Sequence, residues 1–179
     1  MISKTALRVN IEAIKIVLGV IFLFASAQIT IPLEPVPITM QTVALMAIAL
    51  TYANLNTALA TVSSYLILGG LGVPIFAGHS FGISKLFGAT GGYLIGFLPC
   101  VYIMHKISDI FGKDTIYKLF FNCLAGTAIV FVCGISWLAS FIGCQQAIIS
   151  GFLPFIIPGI VKAVLLTAIL RMIGFFTEK

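Results

Sequence analysis

The chain has 179 residues, 60% of them hydrophobic and only 8% charged, with a mean hydropathy of +1.18. Soluble domains carry about 25% charged residues, so a water-soluble globular protein is excluded and an integral membrane protein is expected. The net charge of +5 and pI of about 9.2 come from basic residues scattered singly among apolar runs; that distribution fits membrane topology and argues against nucleic acid as a partner.

Spanning the hydrocarbon takes about 20 apolar residues per helix, so this length accommodates about six spans. A closed barrel is the other spanning solution, but the apolar runs are continuous and do not alternate. In chain order, the first span is read from about Ala13 to Ile31. Lys4, Arg8 and Lys15 precede it and Ala25-Ser26-Ala27 stands before Gln28, an arrangement shared with secretory signals. The remainder is itself membrane-like, so a first span is the simpler reading. Pro32, Pro35 and Pro37 then end the helix and stiffen the connection. A second span is expected from about Thr39 to Tyr52, a tight turn at Asn54-Leu55-Asn56, and a third span from about Thr57 to Leu71.

Next comes the densest glycine stretch of the chain, Gly69 to Phe97. Its glycines allow backbone to approach a solute and successive N–H groups to face an anion; equally, they serve a long external loop that needs only to turn. The fourth span is expected from about Leu86 to Met104 and opens on Gly88-Ala89-Thr90-Gly91-Gly92-Tyr93. His105 to Lys118 is the one stretch with frequent charges, the fifth span runs from about Leu119 to Ile142, and the sixth from about Pro158 to Phe176. The expectation is an all-α, six-transmembrane-helix bundle forming one membrane domain over residues 1–179, with no internal repeat.

Charge orients this bundle. Lysine and arginine favour the cytoplasmic side of short loops. With six spans, Lys4, Arg8, Lys15, Lys106, Lys113, Lys118, Arg171 and Lys179 share one side, so both termini are placed in the cytoplasm. Lys85 and Lys162 break the pattern. An ammonium at bilayer depth costs on the order of 2.5–3.5 kcal/mol on the lenient insertion scale, so it must face a cavity, a partner or the headgroups. Lys85 either snorkels to the interface or meets a ligand; Lys162, deeper in a span, is assigned the functional role. Glu34 is the one carboxylate placed on the outer side, which leaves these cations short of a negative partner that a carboxylate-bearing ligand can supply.

Other chemistry is missing. Gly82-Ile83-Ser84-Lys85 lacks the upstream glycine spacing of a phosphate-binding loop, so the chain carries no ATPase motif of that kind. No serine, histidine and carboxylate converge, and no enzyme is expected. His79 and His105 fall on opposite sides of the bundle, and Cys100, Cys123, Cys133 and Cys144 lack the close spacing of a zinc or redox motif; neither a metal nor a cofactor is expected. The polar side chains near the outer rim are Gln41, Ser84, Thr90 and Tyr93, with Gly78, Gly91 and Gly92 offering backbone, and Phe76, Phe81, Phe87 and Phe97 offering apolar walls. His79 can hydrogen-bond a ligand or do no more than fill its loop. Gly19, Leu23 and Ala27 recur at i, i+4 and i+8, a smooth helix face for another helix or for internal packing.

Several of these segments are familiar together. Gln28-Ile29-Thr30-Ile31-Pro32-Leu33 with Pro35-Val36-Pro37-Ile38-Thr39 and Gln41-Thr42 resembles the first-loop signature of the BioY family, the biotin-specific S-components of energy-coupling-factor transporters. Gly72-Val73-Pro74-Ile75-Phe76-Ala77-Gly78 resembles the third-loop motif, Gly88 to Phe97 the motif opening the fourth span, and Leu153-Pro154-Phe155-Ile156-Ile157-Pro158-Gly159-Ile160-Val161-Lys162-Ala163 the last motif. The resemblance implies six transmembrane helices with cytoplasmic termini in the bacterial plasma membrane. It implies biotin as the ligand, held near the outer face under a lid of the first and third loops. It also implies docking on a transmembrane coupling subunit driven by ATPase subunits. Three positions depart from the pattern: Gly159 stands where the family usually has aspartate, Ala89 where it has proline, and Gly19, Leu23 and Ala27 where S-components tend to have an alanine-x-x-x-alanine face.

The site residues expected on this reading are Lys162 and Lys85 for the carboxylate, with Thr90, Tyr93, Gln41, Gly91 and Gly92 for the polar ring. Phe76, Gly78 and His79 would supply the surrounding wall. Two other readings stand beside it: a stand-alone carrier for another small carboxylate-bearing solute, and a membrane assembly factor with no solute.

Overall fold

The computed structural model describes residues 4–174. Its helices are α1 (Lys4–Gln28), α2 (Gln41–Thr51), α3 (Leu55–Gly70), α4 (Ile83–Phe87), α5 (Gly91–Ile95), α6 (Phe97–Phe111), α7 (Ile116–Ile142), α8 (Cys144–Gly151) and α9 (Ile156–Met172). Lys179 and the expected end of the last span at Phe176 lie outside the described residues, as do the side chains of Lys4 and Arg8.

Among the described residues, four segments are long and apolar enough to cross a membrane: Asn10–Gln28, Gly91–Phe111, Ile116–Ile142 and Cys144–Met172. The second and third expected spans are helical but short. With 11 and 16 residues, α2 and α3 reach roughly 16 and 24 Å at ~1.5 Å per residue, less than the ~30 Å hydrocarbon core. Helix length thus supports four spans where six were expected. The expected fourth span is also discontinuous. Leu86 belongs to the five-residue α4, the chain opens at Gly88–Thr90, and the continuous segment starts only at Gly91. The last segment starts earlier than Pro158, because α8 precedes it and α9 begins at Ile156. Pro158 lies in the first turn of α9, where a missing N–H costs nothing.

Helix α1 stops at Gln28, three residues before the expected end, because the chain turns into a hairpin. Strands β1 (Thr30–Ile31) and β2 (Ile38–Thr39) pair antiparallel, with Thr30 opposite Thr39 and Ile31 opposite Ile38. The Met40 N–H donates to the Ile29 carbonyl at 3.0 Å, closing the hairpin directly onto the start of α2. The three prolines of its tip cannot continue a helix.

Helix α7 is the packing centre, touching α5, α6, α8 and α9, while α1 packs on α2 and α3. Small residues set these approaches. A Cβ on Gly92 would lie 2.2 Å from Trp137 Cβ, and one on Gly134 would lie 2.3 Å from the Tyr93 ring, so α5 and α7 interlock through reciprocal glycines. Toward the other end of the pair, buried Asn122 on α7 donates to the Met104 carbonyl at 3.0 Å and the Ser108 hydroxyl at 2.9 Å on α6. The smooth face of α1 turns inward. Leu23 and Ala27 are fully buried, and a Cβ on Gly19 would meet the Thr61 methyl of α3 at 2.5 Å. That face serves internal packing and is not open to another subunit.

Candidate functional site

The hairpin, the 71–82 connection, the first turns of α2 and α9, the middle of α7 and residues of α4, α5, α6 and α8 line a cavity of about 950 Å³ that opens on one side. This is near the upper end of the ~300–1,000 Å³ usual for small-molecule sites. Its apolar walls are aromatic: Phe76, Tyr93, Phe97, Phe131 and Phe155. Phe131 of α7 is a hub, with edge-on contacts to Tyr93 (6.3 Å), Phe152 (5.6 Å) and Phe155 (5.8 Å). Such rings give a rigid apolar surface at little conformational cost. One side of the cavity is covered by the proline hairpin, residues 32–37.

Lys162 points into this space. Its Nζ donates to the Thr39 carbonyl at 2.6 Å and lies 3.4 Å from the Thr42 hydroxyl. Both acceptors are neutral, and no carboxylate pairs with Lys162 among the described residues. A part-buried ammonium with only neutral acceptors retains an unmet demand for an anion. Gln41 and Thr42, in the first turn of α2, line the same wall. The positive end of that helix adds to the potential felt there. Lys85 and Glu34 also line the cavity and are exposed, so the site carries cations from two elements and one carboxylate on the hairpin.

The other expected residues divide. Gln41, Phe76, Gly78, Lys85, Thr90, Tyr93 and Lys162 all line the cavity. Two of them have polar atoms already committed. Gln41 is buried, donates from Nε2 to the Tyr65 hydroxyl, and accepts from Thr39 Oγ1 at 3.2 Å. Tyr65 in turn donates to the Ile75 carbonyl at 2.8 Å. Gln41 therefore braces α2 against α3 and the 71–82 connection. The Tyr93 hydroxyl donates to the Gly151 carbonyl at 2.8 Å, joining α5 to α8, so Tyr93 presents mainly its ring.

Gly91, Gly92 and His79 do not line the cavity. A Cβ on Gly91 would lie 1.9 Å from the Leu86 carbonyl oxygen, and Gly92 is packed on Trp137 and the Cys133 carbonyl. Their lack of a side chain serves helix packing and not solute contact. His79 turns its ring to Phe24, with centroids 6.2 Å apart. Phe81, Phe87 and Ser84 are exposed and also lie outside the lining.

The walls absent from the expected site residues come from Thr127 and Phe131 of α7, Gln146 and Ser150 of α8, and Phe155 in the 3-10 turn before α9, with Gly159 of α9, known from the sequence only as a departure from the last motif, beside them. Thr127 and Phe131 sit at i and i+4 in a helix apolar on every side, so spacing does not distinguish a cavity face from a lipid face. Gly159 is adjacent to both: a Cβ there would lie 3.3 Å from the Thr127 methyl and 3.8 Å from the Phe131 ring.

Comparison with known proteins follows the same pattern. The BioY family profile matches residues 3–177. A probable biotin transporter BioY of Rickettsia prowazekii is 40% identical over 163 residues, spanning 91% of this chain and 83% of that protein. One from Pyrococcus horikoshii is 38% identical over 137 residues, spanning 76% and 80%. The crystal structure of the S-component for biotin from an ECF-type ABC transporter superposes with a TM-score of 0.81. It covers 99% of this chain and 100% of that one at 22% identity, a likeness of fold. With a family match across nearly its whole length and relatives at this level of identity, the chain is a member of the BioY family.

Proposed function

We propose that the chain is the biotin-binding membrane subunit of an uptake system in the bacterial plasma membrane. The observation that carries this reading is Lys162, directed into an aromatic cavity with neutral acceptors only. The acid group of biotin supplies the missing anion there. The first turn of α2 supports the same end, and Lys85 stands at the exposed edge as a second cation. The aromatic walls of Phe76, Phe97, Phe131 and Phe155 take the apolar parts of the vitamin, and Thr90 with the backbone at Gly78 faces its polar ring.

The relatives' name and the S-component fold support biotin as the solute. On this reading the chain crosses the bilayer six times, with α2 and α3 as short spans and both termini in the cytoplasm. The chain contains no P-loop sequence, so energy comes from ATPase subunits acting through a transmembrane coupling subunit.

The test is retention of labelled biotin by the purified full-length chain. Lys162→Ala should weaken binding by about tenfold or more, the worth of one charged hydrogen bond. Equal affinity in that variant overturns the role given to Lys162, and absence of biotin binding by the wild-type chain overturns the function.

A further inference from the structure

The 71–82 connection carries Phe76, Ala77, Gly78 and Ser80 to the cavity, yet its backbone is unusual. Gly72, Gly78 and Gly82 have φ of 107°, 63° and 95°, and His79 follows at 57°. A non-glycine residue resists that region because its Cβ crowds the neighbouring carbonyl. Something must hold the segment in place.

Tyr65 holds it at the Ile75 carbonyl, and a second side chain from outside the segment holds the stretch that follows. Gln28, in the last turn of α1, accepts from the His79 N–H at 3.0 Å through Oε1. Its Nε2 donates to the Phe76 carbonyl at 3.2 Å and to the Phe24 carbonyl of its own helix at 3.2 Å. A single amide thus brackets residues 76–79, gripping the stretch at both ends, while the Phe24 ring meets the His79 ring on the same side. Both halves of the carboxamide are used, the oxygen as acceptor and the nitrogen as donor.

We infer that Gln28 is a positioning residue. It latches the wall formed by Phe76, Ala77 and Gly78 to α1, and ligand release requires that latch to open. This rests on reading the cavity as the biotin site. Gln28 itself does not line the cavity, so its effect passes through the backbone it holds. The consequence is kinetic: loss of the latch speeds dissociation more than it slows association.

The experiment uses the full-length chain in nanodiscs, with wild type, Gln28→Leu and Gln28→Glu. Backbone amide exchange over residues 76–80 is measured without ligand, and release of labelled biotin is measured by chase. Gln28→Leu should accelerate both, with release faster by about tenfold. Gln28→Glu keeps the acceptor and loses the donor, so His79 should stay protected while release is intermediate. If Gln28→Leu does not fold, Gln28→Glu decides through release alone, and a release rate equal to wild type in that variant overturns the inference. Unchanged exchange in both variants, or faster exchange with an unchanged release rate, overturns the inference. A wild type that retains no biotin sinks the functional reading instead, and the exchange arm still decides whether Gln28 holds the segment.

Discussion

Lys162 on α9 donates to the carbonyl oxygen of Thr39 at 2.6 Å, a contact between residues 123 positions apart. It joins the last helix to the hairpin that covers the cavity. On the proposed function the same ammonium would meet both the solute and the hairpin. A ligand carboxylate that draws Nζ away from Thr39 changes what holds the hairpin in place.

If the ammonium answers a carboxylate, neutralising the ligand must erase the effect of the mutation. Calorimetry with biotin and its methyl ester on wild type and Lys162→Ala forms a double-mutant cycle. The variant should lose about tenfold or more toward the acid and change little toward the ester. Equal losses for both ligands would point to a packing role for Lys162.

Gly159 is three residues before Lys162 on α9, on the same helix face. A Cβ there meets only the Thr127 methyl at 3.3 Å and the Phe131 ring at 3.8 Å, so Gly159→Asp should fold. Its carboxylate would partner the ammonium internally. The expected result is weaker preference for biotin over its ester, read in the same titrations; an undiminished preference would place Lys162 beyond reach of residue 159.

Two glycines should fail for different reasons. Gly92→Ala drives a Cβ to 2.2 Å from Trp137 Cβ and 2.7 Å from the Cys133 carbonyl, an overpacking that costs about 1–3 kcal/mol. Gly78→Ala meets nothing within 4 Å but must hold φ at 63°, which costs about 1–2 kcal/mol. Thermal unfolding should show both losses. Only Gly78→Ala should also alter biotin release, since only Gly78 lines the cavity.

Tyr65 is fully buried and stands between Gln41 and the Ile75 carbonyl. Tyr65→Phe strands a donor on Gln41 and an acceptor on Ile75. The expected cost is about 1–3 kcal/mol of stability, measured by thermal or denaturant unfolding. The acid-against-ester preference should persist, because the charge that sets it lies on α9.

Much of this protein is written in composition and local pattern. Sparse charge and long apolar runs dictate membrane helices, because an unpaired backbone group has no partner in lipid. Prolines 32, 35 and 37 dictate a break after α1, and the breach of the charge rule singles out Lys162 before any coordinates. What only the tertiary structure decided is which surfaces face one another. Gly92 and Gly134 are glycines for the sake of a partner helix, a reason not visible in either segment alone. Gln41 and Tyr93, expected to offer polar atoms to a solute, spend them on Tyr65 and Gly151. Thr127 and Phe131 join the cavity wall from a helix whose apolar residues run all the way round. In such helices periodicity carries no inward sign, since lipid and core are equally apolar, and only packing tells one face from the other.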